Sequence, residues 1–263
     1  MKEQKTLFLG WRDPHEHRWY PVGRLDVDDS PPKYSFGYTQ GAAEAAERSG
    51  FVPLYDFPQF HHRYTSPWLF PLFKNRVMNY QRRSFYEYLS FLDIDDESPD
   101  PLEILAVDGG YRVTDNFQVF PKIRKQADGS FRCRFFLHGW RHTNSDAQEE
   151  IERLRSGEAL YVTIELTNPQ TRLAVQIQTT QYHMIGWAPR YLVHDLVTAM
   201  AHAPGDYSAQ VVKVNPVPAP SKQRVLIELG GHWPQGYEPM EADEFKLLGG
   251  EDATAVSFGR QKL

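Results

Sequence analysis

Two stretches at the centre of the chain, Leu160–Leu166 (LYVTIEL) and Ala174–Gln178 (AVQIQ), alternate β-branched or apolar residues with polar ones. A period of two marks a strand with one buried face, and Thr167-Asn168-Pro169-Gln170 between them is turn chemistry. Around this hairpin, Phe131–Trp140, His183–Ala188, Ser208–Val214 and Arg224–Leu229 also read as strands. Asn144–Arg155 reads as a helix capped by Asn144 or Ser145 and closed at Gly157. Arg190–Met200 reads as a second helix, following Pro189. Proline-rich 215–220 separates the last two strands.

The N-terminal part has its own pattern. Thr6–Trp11 predicts a strand, Arg12–His17 a polar turn, and Trp19–Leu25 an antiparallel return. After a turn at Pro31-Pro32, Tyr34–Tyr38 alternates aromatic with small residues. Gly41–Ser49 predicts a helix ended by Gly50, and Ser66–Asn79 and Ser84–Leu92 predict two more. Residues 93–101 are an acidic loop, and beyond Gly236 a loosely attached acidic tail is expected. The fold class is therefore α+β. A β-rich module with short helices over 1–117 precedes a second module over 118–235 and a tail over 236–263.

The 263 residues carry a net charge of −5, which opposes a generically basic nucleic-acid coat. The charge is uneven. Residues 1–120 hold 13 basic and 18 acidic side chains, 121–235 hold 13 and 10, and 236–263 hold 3 and 6. Only the middle segment is net positive, so it is the part suited to an anionic polymer. No apolar run approaches the ~18–20 residues of a membrane span. Met1–Thr6 lacks the apolar stretch of a secretory signal. A cytoplasmic protein without membrane contact is the expectation.

Signs of enzymatic chemistry are sparse. There is no Gly-rich phosphate loop and no nucleophile elbow. Asp108-Gly109-Gly110-Tyr111 reads as a turn. His15-Glu16-His17, His61-His62 and Asp93-Asp95-Asp96 read as solvated groups rather than metal sites. The single Cys133 permits no internal disulfide, and alternation puts it with Phe135 on one strand face as a buried structural residue. No catalytic residue, metal or cofactor is expected. A nuclease using Asp108 or Asp115 is the enzymatic alternative.

The order of elements in the middle segment, with Gly139-Trp140, Gly157-Glu158-Ala159-Leu160, Asn168-Pro169, Ala174-Val175 and Ile185-Gly186-Trp187-Ala188-Pro189-Arg190, resembles the HIRAN family over about 118–235. The resemblance implies a small β-barrel-like module with inserted helices that binds single-stranded DNA and captures its 3′ end. The candidate nucleic-acid-binding residues are then Trp140, Arg141, Asn168, Arg172, Trp187, Arg190, Tyr191 and Lys213. Trp187, Arg190 and Tyr191 combine stacking surface with a phosphate-pairing cation. Asn168 offers donors and an acceptor, and Arg132, Arg134, Arg141, Arg172 and Lys213 offer phosphate contacts. The chain departs from the family where an aromatic and an aspartate follow Asn-Pro, because Gln170 and Thr171 stand there. Arg141 and His142 replace the usual paired aromatics after the opening strand.

Residues 5–92, through the N-terminal hairpin and Leu69–Arg76, look like the N-terminal subdomain of HipA-type toxin kinases, which lies outside the kinase core and contacts regulators. The implied partners are single-stranded DNA or DNA ends in the middle module and a protein in the N-terminal one. The alternative is a pure interaction or regulatory subunit of a kinase, repair or phage-defence assembly.

Overall fold

A computed structural model describes residues 5–29, 32–95, 97–249 and 255–257. Pro31, Asp96 and much of the acidic tail lie outside them. The chain forms two compact units, each discontinuous in sequence. The first takes residues to Tyr80, Asp100–Lys122 and the segment from Met240. The second takes Gln81–Pro99 and Ile123–Pro239. Relative to a linear division at 117 and 235, the segment 81–99 sits in the second unit and 240–249 in the first.

The first unit is built on a six-stranded sheet. Its strands are β1 (Lys5–Arg12), β2 (Trp19–Asp29), β3 (Pro32–Tyr38), β4 (Arg63–Ser66), β5 (Phe117–Pro121) and β12 (Ala255–Ser257), in the order β12-β4-β3-β2-β1-β5. All pairs are antiparallel except β12 with β4. Leu7, Leu9, Leu25, Val27, Phe36 and Tyr38 face a core completed by Phe51, Phe57, Phe70 and Phe73. Helix α1 (Gln40–Ser49) ends at Gly50 as its sequence predicts.

The expected helix over 66–79 is mostly absent. Ser66 ends β4, and only α2 (Pro71–Lys74) is helical, with Pro71 in its first turn. Pro71, interior to the longer helix, withholds a backbone donor that the helix would use, whereas Pro67 would fall in its first turn. A helix that the acidic, proline-containing loop concealed is α4 (Pro101–Asp108). Asp100 caps it, accepting from the Leu102 N–H at 2.8 Å, and Gly109 closes it. Residues 240–249 of the expected tail are packed rather than loose: Phe245 is buried edge-on to Phe8, and the Leu248 N–H donates to the Tyr38 carbonyl.

The second unit is also six-stranded. Its strands are β6 (Ser130–Phe136), β7 (Ala159–Asn168), β8 (Arg172–Thr179), β9 (Met184–Trp187), β10 (Ser208–Val214) and β11 (Val225–His232), in the order β6-β11-β10-β7-β8-β9, antiparallel throughout. The sheet does not close into a continuous barrel. One reciprocal pair of hydrogen bonds links its two ends: His138 N–H to Trp187 O and Trp187 N–H to His138 O, each 2.9 Å. Helix α3 (Phe85–Leu92) belongs to this unit, where the Phe91 carbonyl accepts from the Asn215 amide. Helix α5 (Ser145–Arg153) is capped by Asn144, which accepts from the Ala147 N–H. Helix α6 (Arg190–His202) buries Leu192, Leu196 and Ala199.

Candidate nucleic-acid interface

Strand register decides which side chains share a face. Tyr161 pairs with Gln178, Thr163 with Gln176, Glu165 with Ala174, and Gln176 with Trp187. Directly paired residues of antiparallel strands point the same way. Tyr161, Thr163, Glu165, Gln176, Gln178 and Trp187 therefore form one face, while Val175 and Ile177 between them are buried in the core.

Trp187 is held in place by three features. Its Nε1 donates to Glu165 Oε2 at 2.7 Å. Its ring lies so close over Gly139 that a Cβ there would sit 2.5 Å from Cε3. Gly139 also has φ 68°, so glycine is required on both counts. Gly186 beside it leaves no room either, since a Cβ would meet the His138 carbonyl at 2.6 Å. Gly139 leads directly into a single 3-10 turn, Trp140–His142, which brings Trp140 and exposed Arg141 to the same end of the sheet. The Trp140 Nε1 donates to the Ser221 carbonyl at 2.8 Å.

Asn168 is buried, and both polar atoms of its amide are engaged within the turn. Nδ2 donates to Glu165 Oε2 at 2.9 Å. Oδ1 accepts from the Gln170 N–H, the Thr171 N–H and the Thr171 hydroxyl at 3.0–3.1 Å. Asn168 thus shapes the turn, and Gln170 and Thr171 serve that geometry. Arg172 lies opposite Asn168 across a register shift, at φ 64°, exposed. Burial alone would push the Glu165 carboxyl up. The donors of Asn168, Trp187 and Gln176 together outweigh it and hold the group below its ordinary value, so it is ionised.

The Trp187 end of the face accordingly holds a carboxylate with cations around it. Arg141 and Arg172 have no ion-pair partner among the described residues. Arg190 begins α6 three positions after Trp187 and is exposed. The structure brings Trp140, Arg141, Asn168, Arg172, Trp187 and Arg190 to one end of the unit.

Two other predicted residues sit elsewhere. Tyr191 is buried on α6. The Lys213 ammonium donates to the Ser90 carbonyl and lines a cavity of about 590 Å³ with Arg155 and Arg224. Arg132 pairs with Glu228, and Arg134 with Glu228 and Asp93, so their charges are compensated within the unit. Burial and the Glu228 charge push the Cys133 thiol up to about 12, so it stays protonated.

The strand register also reveals what the sequence pattern concealed. Tyr161 and Tyr182, 21 positions apart, bring their rings to 5.4 Å at 32°. Only the β7–β8 pairing and the turn into β9 signal that proximity.

Residues 130–230, from the first residue of β6 into β11, match the model of the HIRAN domain. The chain carries a HIRAN domain. The match covers Gly139, Trp140, Asn168, Arg172, Trp187 and Arg190, and a HIRAN domain is a DNA-binding module. It falls within the second compact unit, which adds α3 from upstream of the matched segment. No curated protein is significantly similar to the chain. Among solved structures, a protein from Lactobacillus plantarum is 21% identical over 40% of this chain and all of its own, with a TM-score of 0.31. No helix among the described residues is long and apolar enough to cross a membrane.

Proposed function

We propose that the HIRAN domain binds single-stranded DNA or DNA ends on the face formed by β7, β8 and β9. The observation that carries this reading is Trp187: a half-buried indole, fixed by Glu165 and Gly139, at the edge of an open sheet face with Arg141 and Arg172 at its rim. A fixed aromatic with cations at backbone distance is how single-strand binders hold bases without reading sequence. Trp140, Arg141, Arg172, Trp187 and Arg190 contact the strand, and Asn168 positions the turn. The carboxylate of Glu165 repels phosphate, which favours bases toward the sheet and phosphates toward the arginines. Because Gln170 and Thr171 close the turn, recognition of a 3′ hydroxyl there is not part of the proposal.

The protein works by binding, without a chemical step of its own. Asp115, which a nuclease reading would use, is instead the bidentate partner of buried Arg76. The first unit docks a protein partner. Supporting this are exposed apolar rings among its described residues, Tyr55 at 98% and Trp68 at 60% exposure. A pure interaction or regulatory subunit is the second reading, favoured by the same rings.

Fluorescence anisotropy with single-stranded, duplex and 3′-blocked oligonucleotides tests the proposal. Affinity for the single strand that falls steeply with salt is the expected result. Absence of binding at low ionic strength overturns it.

A further inference from the structure

The face that carries Trp187 does not end there. Along β7 it runs from Glu165 through Thr163 to Tyr161, and along β8 through Gln176 and Gln178. The middle is a neutral ladder: the Gln178 amide donates to the Thr163 hydroxyl and to the Gln176 side-chain oxygen, both at 3.2 Å. At the far end Tyr161 is 43% exposed and Tyr182 75%. Neither phenol hydroxyl has a hydrogen-bond partner among the described residues.

Packing alone does not account for Tyr182. It occupies the turn between β8 and β9 at φ 67°, a left-handed conformation that a bulky residue adopts at a cost and that glycine or asparagine would relieve. The turn is fixed from both sides, with the Tyr182 N–H donating to the Thr179 carbonyl and the Thr179 N–H to His183. The backbone is thus held in a strained form that presents an aromatic ring to solvent beside a second one. Strain of this kind collects at ligand-binding positions.

We propose that Tyr161 and Tyr182 form a second base-stacking platform, so that one nucleic-acid strand is held at two aromatic stations on this face, Trp187 at one end and the tyrosine pair at the other. The inference rests on the single-strand reading above and deepens it by setting the length and path of the bound strand. Trp187 pairs with Gln176 and Gln176 with Thr163, so the Trp187 backbone lies two residues, about 7 Å, along the strands from Tyr161 and two strands, about 10 Å, across from it, about 12 Å in all. That is the span of roughly four stacked nucleotides at about 3.4 Å each. Stacking on an aromatic ring is open to every base, so the platform itself tolerates any sequence.

The test compares a fluorescent thymidine trimer, too short to reach both stations, with a thymidine decamer. The wild-type chain is expected to bind the decamer more tightly than the trimer. Replacing both rings, Y161A/Y182A, lowers decamer affinity about 5–150-fold, from the usual worth of one stacked base, and leaves trimer affinity unchanged. Y161F/Y182F, which keeps the rings, binds as wild type. Both positions are solvent-exposed, and an unchanged urea midpoint shows that the fold survives.

Decamer affinity of Y161A/Y182A equal to wild type overturns the platform and leaves the pair as a structural or protein-facing patch. Equal loss for trimer and decamer overturns it as well, because the rings then act through Trp187. If the wild-type chain binds neither oligonucleotide, the single-strand reading itself fails. Binding of both with no effect of the rings leaves that reading standing and removes only this inference.

Discussion

The two sheets have the same number of strands and treat polar side chains in opposite ways. In the first unit, the buried Asp26 carboxylate accepts from the Thr6 hydroxyl, Arg24 and Arg63 at 2.7–2.9 Å. Buried Arg76 is likewise held through both terminal nitrogens by Asp115 and the Gly110 carbonyl, with only its Nε left without a partner among the described residues. Charges there complete the sheet from within. In the second unit, the β7–β9 face keeps Glu165 engaged but leaves Arg141, Arg172 and a pair of tyrosines exposed. Groups satisfied inside the fold explain its stability, and groups left without an internal partner indicate where a ligand is met.

The sharpest way to break this contrast is to damage the first core and watch the second unit. Phe36 is fully buried against Tyr38, Phe57, Phe70 and Phe73. Phe36→Ala is expected to cost about 3–5 kcal/mol in the urea unfolding of the first unit. DNA affinity of the folded protein should be unchanged, and lost affinity would mean that the two units do not divide the work. Next in size is Asn168→Ala. It strips the turn of an acceptor for three donors and should cost about 1–3 kcal/mol while weakening DNA binding, measured by the same denaturation and by anisotropy.

A pH titration tests how the sheet ends are joined. Burial, with the Lys222 charge adding to it, pushes His138 from 6.5 down to about 4. The unfolded chain takes up a proton below its ordinary value while the folded ring stays neutral. Stability of the second unit is therefore full above about pH 6.5 and declines as pH falls toward 4. His138→Gln should flatten that decline in a series of urea midpoints.

Removing Arg141 and Arg172 should lower the slope of log affinity against log salt by about 0.7 for each cation. Lys213→Met should change affinity least, since its ammonium is already engaged with Ser90. A large loss there would move the proposed path toward the Arg155–Arg224 cavity.

How much of this was legible beforehand follows from the range of each signal. The β7–β8 hairpin, the Asn144 cap, the α6 start after Pro189 and the Gly50 stop are local, and each formed where its residues indicated. The family pattern named both Gly139 and Trp187, but not that the ring lies over the glycine, because 48 residues separate them and only the fold brings them together. The contact of Lys213 with Ser90 was not legible, because Ser90 lies 123 positions upstream in a helix that reads as part of another module. Tyr161 and Tyr182 went unnoticed for the same reason. No spacing rule joins residues 21 apart, and only register does. The helix over 66–79 failed because apolar periodicity was weighed above Pro71, whose missing donor and ring interrupt the interior of that helix.

The interleaving of the two units has a consequence for the order of synthesis. The second unit needs nothing beyond Pro239, whereas the first, begun at the N-terminus, includes the segment from Met240 that places Phe245 against Phe8. On a ribosome delivering the chain from its N-terminus, the DNA-binding unit can finish folding while the earlier-made unit still waits for its last piece. Chain breakage near residue 240 would thus leave a complete HIRAN domain attached to an unfinished neighbour, and the lesion would show at the end of the molecule farthest in sequence from the break.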